Sequence, residues 1–224
     1  MTTQGPRAPL NAEAIEAFVR ENARLMTPPL VPGIRLYLAE ESVPIWQKTE
    51  DELGEMNVPP PFWAFAWAGG QALARYLLDN PSICAGRRVI DLGSGSGMTA
   101  IAAARCGAAS VLAADVDQFA LAACRLNAAA NGVAVDATGE DLLSRPPAVA
   151  DVILIGDLFY ERGLAERVTA YIDAAKGQGA DVYIGDPQRS YFPRDTFTLL
   201  ASYQVPVTRE LEDSEIKKTA VWRA

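Results

Sequence analysis

The sequence predicts an α/β fold: a seven-stranded, mostly parallel sheet with helices on both faces, a C-terminal antiparallel hairpin and a short N-terminal extension. Three observations support this prediction. Apolar segments alternate with helical segments from residue 88 onward. Four of the apolar segments are rich in Val, Ile, Leu and Ala without polar alternation, which is typical of parallel strands buried on both faces. A length of 224 residues suits one such domain with a complete core.

The chain is predicted to divide into an extension, residues 1–60, and a single domain, residues 61–224. Residues 11–25 have the apolar stripe of a helix, with Asn11 in the N-cap position. Residues 34–38 alternate between apolar and polar side chains like a strand. The acidic, proline-containing segment that follows carries no clear pattern, and no element is predicted there.

The domain itself is predicted as an alternation of strands and helices. Strands are predicted at residues 88–92, 110–114, 133–137, 151–155, 181–185, 204–208 and 219–222, and helices at residues 98–106, 118–130, 164–176 and 196–202. The last two strands flank a charged segment and are predicted to pair as the hairpin.

The composition excludes several kinds of chemistry. The chain has no histidine, which excludes histidine acid–base catalysis, Ser–His and Cys–His nucleophiles and His-ligated zinc. Its three cysteines lack the spacing of metal ligands, so we expect buried free thiols and no metal site. The net charge of −8 is opposite in sign to that of nucleic-acid-binding proteins and fits a basic partner, or none, better.

No apolar run reaches the roughly 18 to 20 residues that a membrane span needs. The start of the chain has no apolar region typical of a secretory signal. We therefore expect a cytoplasmic protein that binds neither membrane nor nucleic acid, and we expect it to be monomeric.

The most informative segment is VIDLGSGSG, residues 89–97, where a buried strand runs into a glycine loop and a helix follows at once. Glycines at alternate positions let the backbone turn tightly and approach a ligand closely. The dinucleotide-binding spacing G-x-G-x-x-G needs a small residue where this chain has Met98. The spacing G-x-G-x-G, two residues after Asp91, instead resembles motif I of the seven-strand methyltransferases, which have a Rossmann-like fold.

The resemblance implies S-adenosylmethionine as the cofactor. In that family the loop, here with Gly93, Ser94 and Gly97, cradles the amino-acid end of the cofactor. The motif acid, here Asp91, helps to hold its ammonium group. A cationic cofactor without phosphate suits a loop flanked by carboxylates better than NAD does.

Two further sites are expected to bind the cofactor. Asp115 ends the second strand, about 20 residues past the glycines, where Rossmann-like folds place the acid that binds the ribose. The alternative is that it caps the next helix, a role for which Asp117 is better placed. The resemblance implies that Asp141 and the backbone N–H of Leu142 contact the adenine. Glu140 could make the adenine contact in place of Asp141. Alternatively, Asp141 could be a solvated charge in the loop without a binding role.

The acceptor side of the site is expected after the fourth strand, in the sequence Asp157-Leu158-Phe159-Tyr160. It lacks the prolines of the N/D-P-P-Y/F motif of enzymes that methylate exocyclic or amide nitrogens. The form D-x-x-Y resembles the lysine-specific methyltransferases of the seven-strand class. The resemblance implies catalytic roles for Asp157 and Tyr160.

One subgroup is similar over roughly residues 58–224: the lysine methyltransferases of the electron transfer flavoprotein β-subunit. The shared segments are FWAFAW at residues 62–67, a helix that begins with GGQALARYLL at residue 69, GDLFY at 156–160, IGDP at 184–187 and TAVW at 219–222. This resemblance implies that the partner is that β-subunit and that Trp67 contacts the cofactor. One departure is Ala68, where relatives often have proline, which weakens the expected turn around Trp67.

Several alternatives stay open at this point. The amine is expected to lie between Trp63, Phe159 and Tyr160, but the aromatic residues 62–67 could form only a hydrophobic lid of the core. Asp157 could be a helix cap. The chain could methylate a small molecule or a ribosomal protein, or it could be a cofactor-binding partner module without catalysis.

Overall fold

A computed structural model of the chain describes residues 11–40, 60–207 and 215–224. These residues contain nine strands: β1 Arg24–Met26, β2 Leu36–Leu38, β3 Arg88–Leu92, β4 Ser110–Ala114, β5 Asp136–Thr138, β6 Val152–Gly156, β7 Asp181–Asp186, β8 Thr198–Pro206 and β9 Ile216–Arg223. They also contain five α-helices: α1 Ala12–Asn22, α2 Ala68–Asp79, α3 Met98–Arg105, α4 Gln118–Ala130 and α5 Arg162–Gly177.

Seven of the strands form one sheet in the order β5-β4-β3-β6-β7-β9-β8. Strands β3 to β7 run parallel to one another, while β9 runs antiparallel to both β7 and β8. The predicted fold class, with its mostly parallel sheet and C-terminal hairpin, is confirmed. The carboxyl ends of β3, β4 and β6 meet at one edge, where ligands bind in open α/β sheets.

Both faces of the central strands are buried, because successive side chains point to opposite faces. Along β6, Val152 and Leu154 pack in one apolar layer with α2 and α3. Ile153 and Ile155 pack in the other layer with α5. This arrangement explains why the strand lacks polar residues.

The N-terminal segment packs against the outer helix of the domain. Helix α1 begins after Asn11, whose side chain accepts a hydrogen bond from the Ala14 N–H (2.8 Å), as the N-cap prediction requires. The helix ends at Asn22, three residues earlier than predicted, because β1 forms a two-stranded sheet with β2. Ile15 and Val19 of α1 pack in an apolar cluster with α4.

The predicted helix over residues 196–202 is wrong. Residues 198–206 form β8, an edge strand that pairs with β9 over eight residue pairs from Thr198–Arg223 to Pro206–Ile216. The hairpin strands are therefore longer than predicted, and Thr208, the predicted end of the first one, lies outside the described residues. The third parallel strand also starts later than predicted, at Asp136.

The three cysteines, Cys84, Cys106 and Cys124, are buried free thiols, as predicted. Burial raises the pKa of the Cys84 and Cys124 thiols to about 12. Among the described residues, none of the helices has the length and apolar character of a membrane span.

Candidate functional site

A cavity of about 590 Å³ opens at the carboxyl edge of the parallel strands; we call it the central cavity. Its size is within the range of small-molecule sites. Apolar and aromatic side chains line most of it, and the polar side chains come from the loops after β4, β5, β6 and β7, with one from α5. Those polar residues are Asp115, Asp117, Glu140, Asp141, Asp157, Tyr160, Arg167 and Arg189.

The glycine loop forms the floor at the end of β3. Gly93, Gly95 and Gly97 all have left-handed backbone conformations, with φ of 66°, 50° and 77°, which residues with a Cβ rarely adopt. A Cβ on Gly93 or Gly97 would also lie only 2.6 Å from the Leu158 side chain or 2.5 Å from the Cys124 sulfur. At Gly95, by contrast, no such atom lies nearer than 4.0 Å, so this glycine exposes its backbone to the cavity.

Asp91 lies beneath the loop and does not line the central cavity. Its Oδ2 accepts hydrogen bonds from Thr99 Oγ1 (2.6 Å) and the Ala100 N–H (3.0 Å), at the start of α3. Burial raises the pKa of Asp91 to about 7. Ser94 is buried in the loop, and its Oγ has no hydrogen-bond partner among the described residues. The cofactor contacts of Asp91, Ser94 and Gly97 thus stay predictions, while their structural roles in the loop are evident.

Asp115 lines the cavity at the end of β4. Its Oδ2 accepts the Gly95 N–H (2.9 Å) and its Oδ1 accepts the Asp117 N–H (3.0 Å), so the carboxylate is fixed beside the glycine loop. Asp117 is the N-cap of α4 and accepts the Phe119 N–H (2.8 Å). Helix capping therefore belongs to Asp117, and Asp115 points to the cavity. Burial raises the pKa of both carboxyls, that of Asp117 to about 6.

The loop after β5 places Glu140, Asp141 and Leu142 in the cavity lining. Asp141 caps the 3-10 helix Leu142–Ser144 and forms an ion pair with Arg167 at 2.5 Å. Glu140 pairs with Arg145 at 3.0 Å. Both acids thus remain candidates for the adenine contact. The Leu142 N–H opens the short helix and has no acceptor within it.

Asp157 follows β6 and has a left-handed backbone, with φ of 59°, which is uncommon outside glycine. Its N–H donates to the Gly185 carbonyl (3.0 Å). Its Oδ2 accepts the Gly70 N–H (2.8 Å) from the first turn of α2. A helix N-terminus favours negative charge, so α2 stabilises the carboxylate at this position.

Gly69 of α2 and Gly185 of β7 are required by the close packing of the helix on the strand. A Cβ on Gly69 would lie 2.2 Å from the Gly185 carbonyl oxygen, and a Cβ on Gly185 would lie 2.1 Å from the Gly69 carbonyl oxygen. Trp67, the N-cap of α2, is held by a hydrogen bond from its Nε1 to the Phe62 carbonyl (2.8 Å). The expected loosening at Ala68 is therefore not seen, since Ala68 forms the first helical residue in place of proline.

Arg189 is a site residue that sequence analysis missed. Its Nε and Nη2 donate to Asp157 Oδ1 (3.0 and 2.6 Å), and its guanidinium lies 5.5 Å from the centre of the Trp67 ring. The turn that carries it is tied to Asp186, whose Oδ1 accepts the Arg189 N–H (2.7 Å). One signal could have found it: polar residues that follow neighbouring parallel strands meet at the same edge of a sheet.

The aromatic residues divide between the cavity and the core. Trp63, Trp67, Phe62 and Tyr160 line the cavity; burial raises the pKa of Tyr160. Trp63 is only 1% exposed, and its Nε1 has no hydrogen-bond partner among the described residues. The expectation for Phe159 is wrong: it is buried in the core, 5.2 Å from the Phe192 ring centre, and does not line the cavity.

The burial of Asp186 affects the stability of the fold in a way that depends on pH. It is fully buried, and its Oδ2 has no hydrogen-bond partner in the described part of the chain. Burial, and secondly the neighbouring Asp157, raise the pKa of this carboxyl to about 7 although Arg189 lies beside it. Because the folded-state pKa is raised, the contribution of Asp186 to stability is full below about pH 4 and is lost as pH rises to 7.

We therefore expect Asp186→Asn to stabilise the protein at pH 8 by about 2 to 4 kcal/mol and to change little at pH 4. The asparagine carbonyl can still accept the Arg189 N–H, so the turn should persist. Urea unfolding at several pH values measures the difference, and Asp173→Asn, on the exposed face of α5, is the control. An equal effect of Asp186→Asn at both pH values would contradict this account.

The cavity fits S-adenosylmethionine, the cofactor implied by the sequence. Five of the described lining residues are acids and two are arginines, which suits a cationic ligand without phosphate. The open space around Gly95 lets a ligand approach the backbone of the glycine loop closely. Asp115 lies beside the glycine loop, where the ribose was expected.

Comparisons with known proteins point to the same chemistry. A model of the family "Ribosomal protein L11 methyltransferase (PrmA)" matches residues 72–156. The electron transfer flavoprotein beta subunit lysine methyltransferase of Danio rerio is 36% identical over 216 residues, which cover 93% of this chain and 83% of that protein. The protein of the same name from Homo sapiens is 34% identical over 215 residues, 93% of this chain and 81% of its own.

Two solved structures share the fold. One is protein 1320 of Thermoplasma acidophilum, with a TM-score of 0.53 and 22% identity over 68% of this chain and 88% of the other. The other is the magnesium protoporphyrin IX methyltransferase of Synechocystis PCC 6803 with bound S-adenosylmethionine. Its TM-score is 0.52, and it is 13% identical over 83% of this chain and 99% of the other. At this level of identity the similarity concerns the fold alone.

Proposed function

Because the chain belongs to the family of electron transfer flavoprotein beta subunit lysine methyltransferases, we propose that it methylates a lysine of that β-subunit. The chain is a methyltransferase, and S-adenosylmethionine is its methyl donor. The observation that carries the substrate class is the Asp157 carboxylate, fixed in the cavity lining beside Trp67 and Tyr160.

A lysine needs such surroundings to react. Its free pKa is about 10.4, so the neutral, nucleophilic amine costs about 4.6 kcal/mol to populate near pH 7. Burial against Trp67 and Tyr160 lowers that cost by desolvating the ammonium. The aromatic faces still attract the cationic form before and after the reaction.

Asp157 positions the amine in this proposal. Its carboxylate accepts a charge-assisted hydrogen bond from the lysine nitrogen and later stabilises the methylammonium product. The cofactor, when bound, supplies an electrophilic methyl group on a sulfonium. The chain supplies alignment and the exclusion of water, which account for much of the rate in such transfers.

The similarity to ribosomal protein L11 methyltransferases suggests an alternative substrate. That of Symbiobacterium thermophilum is 41% identical, but only over 97 residues, 42% of this chain and 32% of that protein. The family match ends at residue 156, one residue before Asp157. It therefore covers the cofactor half of the site and stops short of the acceptor side.

The test is methyl transfer from labelled S-adenosylmethionine to purified electron transfer flavoprotein, to ribosomal fractions and to a lysate, with labelled residues identified by mass spectrometry. We expect methylated lysine in the flavoprotein β-subunit. Labelling of a ribosomal protein alone would reject the proposed substrate. Labelling of arginine or glutamine would reject the lysine mechanism.

The ribose contact of Asp115 is tested by binding. We expect Asp115→Ala to weaken the affinity for S-adenosylhomocysteine by about 1.5 to 3 kcal/mol, as is typical for a hydrogen bond to a charged group. Calorimetry measures this change, and Asp173→Ala, on the exposed face of α5, is the control. An unchanged affinity in a folded Asp115→Ala protein would show that the carboxylate only supports the loop.

A further inference from the structure

A second cavity of about 320 Å³ adjoins the central one; we call it the outer cavity. Both cavities are lined by Tyr160 and Arg189, so these two side chains form their common wall. The other residues that line the outer cavity are Pro187, Gln188, Ser190, Arg194 and Lys217. They come from the segment after β7, which also supplies Arg189, and from β9.

The two cavities differ in charge. The described residues that line the outer cavity include three cations, Arg189, Arg194 and Lys217, and no acid. The lining of the central cavity includes five acids and two arginines. This basic site stands out in a chain with a net charge of −8. An anionic group is therefore favoured in the outer cavity, next to the place where a cationic amine is favoured.

Arg194 strengthens this interpretation. It is exposed and makes neither a hydrogen bond nor an ion pair with the described part of the chain. A guanidinium offers a planar set of N–H donors that matches a carboxylate. Arg189 stands between the two cavities and already holds one carboxylate, that of Asp157.

We propose that the outer cavity binds a carboxylate side chain of the protein substrate that lies close to the target lysine. The lysine enters the central cavity beside Asp157, and the acid enters the outer cavity beside Arg194 and Lys217. The enzyme thus recognises a lysine with an acidic neighbour, and the two opposite charges fix the direction in which the segment binds. This inference rests on the proposed function for its protein substrate.

The test uses the variants Arg194→Gln and Lys217→Gln and the double variant that combines these two changes. Each is compared with the control variant Lys218→Gln. Lys218 is a matched control, because it is the next residue on β9 and does not line the outer cavity. We expect the double variant to raise KM for the protein substrate at least tenfold. Its kcat should stay within twofold and its affinity for S-adenosylhomocysteine should not change. A KM within twofold of the wild type would overturn the proposal.

A double-mutant cycle then locates the partner group. The acids nearest the methylated lysine are replaced by their amides in the full-length substrate protein. We expect KM of the wild-type enzyme for this altered substrate to rise as much as KM of the double variant rises for the original substrate. When the double variant acts on the altered substrate, KM should rise little further. If the two fold-changes in KM multiplied, the acid and the outer cavity would act independently, and the proposed pairing would be overturned.

The outcome is separable from that of the proposed function. If the flavoprotein is not methylated, the proposed substrate fails, while the same variants and cycle are applied to whichever protein is labelled in the lysate. A labelled lysine without any acid in its neighbourhood would overturn the outer-cavity proposal by itself.

Discussion

Asp157→Asn is expected to lower methyl transfer by at least about 100-fold while leaving the affinity for S-adenosylhomocysteine within threefold. Asparagine tolerates the left-handed backbone at this position and can still accept the Gly70 N–H. It removes the negative charge that is proposed to hold the lysine amine. Because Asp157 follows β6, whereas Asp115, the proposed ribose contact, follows β4, cofactor binding should be spared. Single-turnover kinetics and calorimetry measure the two effects.

Glu161→Gln is the matched control for this variant. Glu161 is the nearby N-cap of α5, accepts the Gly163 N–H (3.0 Å) and is not among the residues that line either cavity. We expect its turnover to remain close to normal. Turnover of Asp157→Asn within tenfold of the wild type would rule out the positioning role of the carboxylate.

Gly185→Ala is expected to destabilise the fold by about 3 kcal/mol or more, at the upper end of overpacking changes. The new Cβ would lie 2.1 Å from the Gly69 carbonyl oxygen and 2.8 Å from the Leu73 Cβ. The oxygen belongs to the backbone of α2, so it cannot move aside as a flexible side chain would. Denaturant unfolding measures the loss of stability.

Gly177→Ala, at the end of α5, is its control. No heavy atom would lie within 4 Å of the new Cβ there, so we expect stability to stay within about 1 kcal/mol of the wild type. If Gly185→Ala also fell within that range, the packing of α2 on β7 would be looser than the structure indicates.

The central sheet could be predicted because burial on both faces leaves a clear pattern in the sequence. Strand β6, with Val152 to Ile155 all apolar, is an example. Strand β8 could not be predicted, since a short apolar run fits a helix or a strand equally well. Its conformation is decided by pairing with β9, whose residues follow a separate segment of the chain.

Site residues that directly follow a strand could be predicted from the sequence. A site residue whose position depends on the path of a turn could not. Asp115 and Asp157 follow β4 and β6 directly and lie in the cavity lining as expected. Arg189 reaches Asp157 through a turn in which Gln188 has a φ of 62°, and no local pattern encodes that path. Which of two successive aromatics, Phe159 or Tyr160, faces the cavity is likewise set by the backbone after Asp157.

The reactivity of the buried thiols reports on transient opening of the structure. Thiolates react with alkylating reagents and neutral thiols hardly do, and burial keeps Cys84 and Cys124 in the neutral form. Labelling therefore requires a transient opening that exposes them. Cys124 lies beneath Gly97, so its rate of alkylation follows the opening of the glycine loop. Added cofactor should slow labelling at Cys124 more than at Cys84, which separates local opening of the site from global unfolding.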